Sequence, residues 1–153
     1  MKRLISFILC FMLLLTLPAC NQSPSAEKIL SEYMSFFDME GIIYSPNKKE
    51  GEDGFVSKGL TERIFIYEGE FPENYAISLN ARSNYGVECG IFICKDGKEL
   101  QRTLEMCLER VELLTGRADG GLVFRSGNIL FYSTQSDKAA SEKAIRKIIK
   151  LYS

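Results

Sequence analysis

The chain has 153 residues, with 19 Lys and Arg against 20 Asp and Glu, a formal net charge of −1, and neither histidine nor tryptophan. Near-balanced charge lacks the basic surplus that nucleic-acid binding demands. Without histidine, the commonest general base and the commonest metal ligand are both missing.

The amino end opens with Lys2 and Arg3, and the run from Leu4 to Leu17 is apolar apart from Ser6, Cys10 and Thr16. A charged start, a short apolar core and a small residue at its end form an export signal. The run is short for a permanent span, which takes roughly 20 apolar residues. Leu17-Pro18-Ala19-Cys20 resembles the lipobox of bacterial lipoproteins, with Pro18 standing where a small or aliphatic residue is usual. The resemblance implies a signal peptide over residues 1–19 and a thioether-linked diacylglycerol on Cys20. It places the product on the extracytoplasmic face of the cell membrane. Two acyl chains hold where one binds only reversibly. Ordinary secretory cleavage after Ala19 meets a bulky Leu17; a cut after Ser25, or an uncleaved anchor, are the alternatives.

Removing residues 1–19 takes away two bases and no acid. The remaining 134 residues carry 17 bases against 20 acids, a net −3. That length suits one domain, over residues 26–153. Residues 20–25 are a lipidated polar tether. A helix is expected from about Ala26 to Asp38, capped by Ser25, with Ile29, Leu30, Tyr33, Met34, Phe36 and Phe37 as its apolar stripe. "YSPNKKEGEDG" reads as a loop. "GLTERIFIYEG" is read as a helix through Leu60, Ile64 and Tyr67, although "RIFIY" alone suits a strand. "NYAISLNAR" and "VECGIFIC" form a hairpin about "SNYG".

Asp96 and Glu99 make a capping box for the next helix. Its stripe is Leu100, Leu104, Cys107, Leu108, Val111 and Leu114, and Gly116 ends it. "GLVFR" and "ILFYST" form a second hairpin about "SGN". Asp137 caps the last helix, with Ile145, Ile148, Ile149 and Tyr152 facing inward. The fold class is α+β: an N-terminal helix plus two strand-strand-helix units, giving a mainly antiparallel four-strand sheet with helices on one face. The two halves share negligible identity, so any duplication is architectural.

With "ECGIFICKDGKE" opening one helix and "SGNILFYSTQSDKA" another, the chain resembles a clostridial-type lipoprotein family catalogued as domain of unknown function 4358. The likeness covers most of residues 26–150 and is densest from Glu88 to Lys143. Glu88 matches a glutamate before an alternating strand, and Gly127-Asn128 matches the turn before the final strand. Cys89 and Gly90 depart from the pattern, which has a larger aliphatic and a small residue there. The family has no assigned activity, so the resemblance implies a Gram-positive envelope setting and no catalytic residue.

The chemistry legible in the residues is sparse. Five apart on a strand, Cys89 and Cys94 face opposite sides and cannot share a metal. Cys89 shares a face with Ile91 and Ile93. A Cys89–Cys107 disulfide is geometrically open, with buried free thiols as the alternative. "ADGGLVFRSG" lacks the phosphate-cradle pattern. "KKEGEDG" would offer Lys49, Gly51 and Asp53 to calcium, and two of these cannot ligate through a side chain. Glu68, Glu70, Glu73 and Asp119 read as surface charge. No cofactor is expected. The favoured class is a lipid-anchored, non-catalytic binding or envelope-assembly module with a protein partner; the alternative is a small envelope hydrolase using carboxylate or Ser/Lys chemistry. Charge is the functional hint. Residues 40–75 carry eight acids and four bases, whereas residues 137–153 carry five bases and two acids. Lys138, Lys143, Arg146, Lys147 and Lys150 are therefore candidate bases facing the membrane or an anionic wall polymer, with the acidic loop turned to a partner; an ordinary solvated helix face is the alternative.

Overall fold

The computed structural model describes residues 25–67, 70–79 and 86–152. The leader, Cys20, residues 21–24, Glu68 and most of the first hairpin turn lie outside the described residues. Among the described residues nine elements follow in order: α1 (Ala26–Phe36), β1 (Ile43–Tyr44), α2 (Lys58–Phe65), β2 (Tyr75–Leu79), β3 (Glu88–Ile93), α3 (Gly97–Thr115), β4 (Leu122–Ser126), β5 (Ile129–Ser133) and α4 (Lys138–Lys150). The strands form one sheet in the order β1-β2-β3-β5-β4, and every described pairing is antiparallel. No helix among the described residues is long and apolar enough to cross a membrane.

The α+β class and both hairpins stand, with two corrections. The sheet has a fifth strand, β1, whose two residues pair with Ile77 and Ser78 of β2. Two residues are too few to display a period of two, so nothing in "GIIY" announces a strand. The second correction is larger: helices cover both faces of the sheet. Ile91, Phe131 and Cys89 pack with Ile29, Leu30 and Tyr33 of α1 and Ile145 and Ile149 of α4. Phe92, Leu130 and Tyr132 pack on the other side with Phe65 of α2 and Met106, Cys107 and Val111 of α3. The central strand β3 is therefore buried along almost its whole length. "ECGIFI" is apolar on both sides because both sides meet helices.

Local chemistry sets the helix starts. The Ser25 side chain accepts from the Lys28 N–H at 3.2 Å, the Asp96 carboxylate from the Glu99 N–H at 2.8 Å, and the Asp137 carboxylate from the Ala140 N–H. Each satisfies an orphan donor of a first turn. The Glu99 carboxylate reaches back to the Lys95 N–H at 2.6 Å, one residue before the cap itself. The second hairpin turns on Gly127 and Asn128, and Gly127 takes φ 59°, which glycine adopts without a Cβ penalty. Asn128 then ties this turn to the end of β3, donating to the Cys94 carbonyl at 2.9 Å.

Three expected stripes are redrawn. In α1, Phe36 lies outside the core and is 57% exposed. In α2, Thr61 and Phe65 are buried while Leu60 is half exposed. In α3, Glu99, Leu100, Thr103, Met106, Cys107 and Val111 are buried, whereas Leu108 and Leu114 are not. α4 matches its expected face, with Ser141 and Ala144 joining Ile145, Ile148 and Ile149. Cys89 belongs to the α1–α4 core and Cys107 to the α2–α3 core, with the sheet between them. The Cys89–Cys107 disulfide is excluded, and Cys89, Cys94 and Cys107 are free, buried thiols.

Candidate functional site

Glu88 opens β3, and the even-numbered positions of that strand point towards α3. A carboxylate buried among apolar neighbours needs partners. Arg110 on α3 supplies them: its Nε and Nη2 donate to the two Glu88 oxygens at 2.8 Å each. The Tyr132 hydroxyl of β5 donates to the same carboxylate at 2.7 Å. The third guanidinium nitrogen, Nη1, donates to the Ile64 carbonyl at 3.0 Å, and the guanidinium lies 5.3 Å from the centre of the Phe65 ring. One cation thus joins the sheet, α3 and the last turn of α2. The Glu88 bonds hold the Arg110 guanidinium above its usual pKa. Burial first, and then the Glu88 charge, push the Tyr132 phenol well up. Engaged by three donors, Glu88 fastens the layers together.

Gly90 makes this arrangement fit. It pairs across the ladder with Tyr132, and a Cβ at position 90 would come within 2.5 Å of the tyrosine ring. The glycine lets the ring lie flat over β3 and brings its hydroxyl to Glu88.

Above the ion pair lies a groove of about 320 Å³ between α2 and α3, lined by Ile64, Phe65, Ile66, Glu109, Arg110, Glu112 and Leu113. Its lips are apolar and wet, with Ile66 73% exposed and Leu113 63% exposed. Ile66 also ends α2 in the left-handed region, at φ 50° and ψ 45°. A β-branched side chain is rarely found there, and such a conformation costs on the order of 1–3 kcal/mol. The Arg110 bond to the Ile64 carbonyl, two residues earlier, holds the turn in place.

The basic face sits across the sheet. Lys138, Lys143, Arg146, Lys147 and Lys150 are all exposed, but they differ in engagement. Lys138 donates to the Asp119 carbonyl at 2.8 Å. Arg146 pairs with Glu142 at 2.6 Å and lies 4.6 Å over the Phe124 ring. Lys143, Lys147 and Lys150, spaced by four and three, share the face of α4 turned away from Ile145 and Ile149. Beside them, between α1 and α4, is a second groove of about 320 Å³ lined by Glu32, Ser35, Phe36, Lys147, Ile148 and Leu151.

The other carboxylates are placed as surface charge. Glu70 pairs with Lys95 at 3.3 Å and Asp119 with Arg117 at 3.0 Å. Arg117 holds the Asp119 carboxyl below its usual pKa. Glu73 borders a hollow with Lys58, Phe71 and Tyr75. In the acidic loop, Glu52 accepts from the Lys49 N–H at 2.9 Å. No cluster of three metal-ligating side chains occurs among the described residues.

Sequence reasoning missed the Glu88–Arg110 pair and the groove above it. The signal was there for the pair: an acid set between Val87 and Cys89 at the mouth of an apolar strand calls for a buried cation. No family model, curated protein or solved structure matches this chain.

Proposed function

We propose that the protein is a lipid-anchored lipoprotein on the extracytoplasmic face of the membrane, tethered through Cys20, and that it works as a non-catalytic binding or assembly module. The sequence from Lys2 to Cys20 supports the anchor. The observation that carries the binding reading is the α2–α3 groove. It presents two exposed apolar lips and a strained Ile66 over an ion pair whose polar groups are spent on one another. Glu109 and Glu112 on its rim favour an envelope protein segment that offers an apolar side chain beside a lysine or arginine.

Two measurements test this reading. Mass spectrometry of the native product should find a diacylglyceryl group on an amino-terminal Cys20, and an unacylated or different terminus removes the anchor. A photo-crosslinking residue in place of Leu113 should give one discrete adduct in cells, lost on Ile66→Ser and absent with the crosslinker at Lys98. Equal labelling from both positions, or none, removes the groove as the binding site.

A further inference from the structure

The second groove runs along α1, the helix that directly follows the tether. Cys20 is five residues before Ser25, and at about 3.5 Å per residue that tether spans under roughly 20 Å. α1 starts immediately after Ser25, and its first turn lies against the far end of α4. The Lys28 ammonium is 5.0 Å from the centre of the Tyr152 ring, and the Tyr152 hydroxyl donates to Glu32. An anchor at Cys20 therefore keeps the C-terminal end of α4 within the tether's reach of the bilayer, together with the head of β2, where the Asn74 side chain accepts from the Ala26 N–H at 3.3 Å. At this end α4 displays Lys147 and Lys150, with Lys143 one turn back on the same face. Two large apolar side chains stand beside them, Phe36 at 57% and Leu151 at 71% exposure. A row of cations flanked by exposed apolar groups is the pattern of an interfacial helix.

We propose that this face, Lys143, Lys147 and Lys150 with Phe36 and Leu151, rests on an anionic lipid surface. The three ammonium groups meet lipid phosphates while the phenyl ring and the leucine enter the headgroup layer. An anionic wall polymer would satisfy the lysines and leave Phe36 and Leu151 in water, so lipid is the better match. Each lysine in contact strengthens the association about fivefold, and the three together about a hundredfold. The inference rests on the Cys20 anchor for its orientation. The α2–α3 groove then faces away from the bilayer, free for a protein.

The test uses the chain from Cys20 onward, which keeps every described element and both cores. Cys20 is coupled through its thiol to a maleimide lipid in phosphatidylglycerol or phosphatidylcholine vesicles; the buried core thiols do not compete. Lysine acetylation is then followed residue by residue by mass spectrometry. Acetylation of Lys143, Lys147 and Lys150 should slow by about tenfold on the anionic vesicles, with Lys58 and Lys98 on the opposite face unchanged. Phe36→Ser with Leu151→Ser should return most of the lost reactivity. Equal rates on the two lipids, protection of Lys58 and Lys98 instead, or insensitivity to the double substitution would overturn the proposal. So would equal protection by soluble poly(glycerol phosphate), which reassigns the face to a polyanion. Chemical coupling keeps this outcome separate from the question of whether cells acylate Cys20, which the native mass decides.

Discussion

Replacing Arg110 with methionine removes a cation that joins three elements while keeping the length of the side chain. It deletes two charge-assisted bonds to Glu88 at 2.8 Å and one to the Ile64 carbonyl at 3.0 Å. Glu88, only 6% exposed, keeps the Tyr132 hydroxyl alone. The side chains of the pair are 14% and 8% exposed, so solvent screens them little. Removing one partner of a buried pair costs about 3–5 kcal/mol, because the other charge stays buried without compensation. For a domain of this size that corresponds to a fall in melting temperature on the order of 10–20 °C. Urea unfolding followed by circular dichroism should show the loss as a lower midpoint with an unchanged slope. Adding Glu88→Gln, which keeps an acceptor for Tyr132 and removes the stranded charge, should recover about half of it. A loss below about 1 kcal/mol for Arg110→Met, or a double variant no better than the single one, would refute the account of this pair as the joint between layers.

Other outcomes follow from neighbouring residues. Gly90→Ala drives a methyl group into the Tyr132 ring and should destabilise by about 1–3 kcal/mol in urea unfolding; a neutral result would mean the ring has room to move. Asp96→Ala removes the cap of α3 and should lower the melting temperature at neutral pH. The Glu99 N–H holds the Asp96 carboxyl below its usual value. Its contribution is therefore full above the unfolded aspartate range and disappears as pH falls through the depressed folded value. A deficit that stays constant into acid would contradict this origin. In the chain from Cys20 at pH 8, one thiol should react with an aromatic disulfide reagent and four after denaturation, since burial pushes Cys94 up to about 11 and holds Cys89 and Cys107 well above the usual thiol range. Fast reaction of a second native thiol would place a core cysteine at the surface.

Residues close together in the chain fixed the local elements. Ser25, Asp96 and Asp137 each bond a backbone N–H three residues on, and Gly127-Asn128 closes a hairpin within four. Such contacts involve little loop closure, so they can be read from spacing. The basic character of α4 was equally legible, but which of its cations are free was not. Arg146 is held by Glu142 and the Phe124 ring, and only the packed structure brings Phe124 of β4 beside it. Exposure of Phe36, Leu108 and Leu114 also escaped the reading, because a stripe of apolar residues gives the helix its period but not the angle at which it docks.

By itself the sequence determined the two hairpins, three of the helix caps, the opposite facing of Cys89 and Cys94, and the absence of histidine chemistry. Only the tertiary structure decided that helices lie on both faces of the sheet. It alone brought Arg110 across 22 residues to Glu88, and put the α2–α3 groove and the lysine face of α4 on opposite sides. The physical reason is range. Caps, turns and periodicity are settled by neighbours along the chain, whereas the layer a helix joins depends on which apolar surface reaches it first in space.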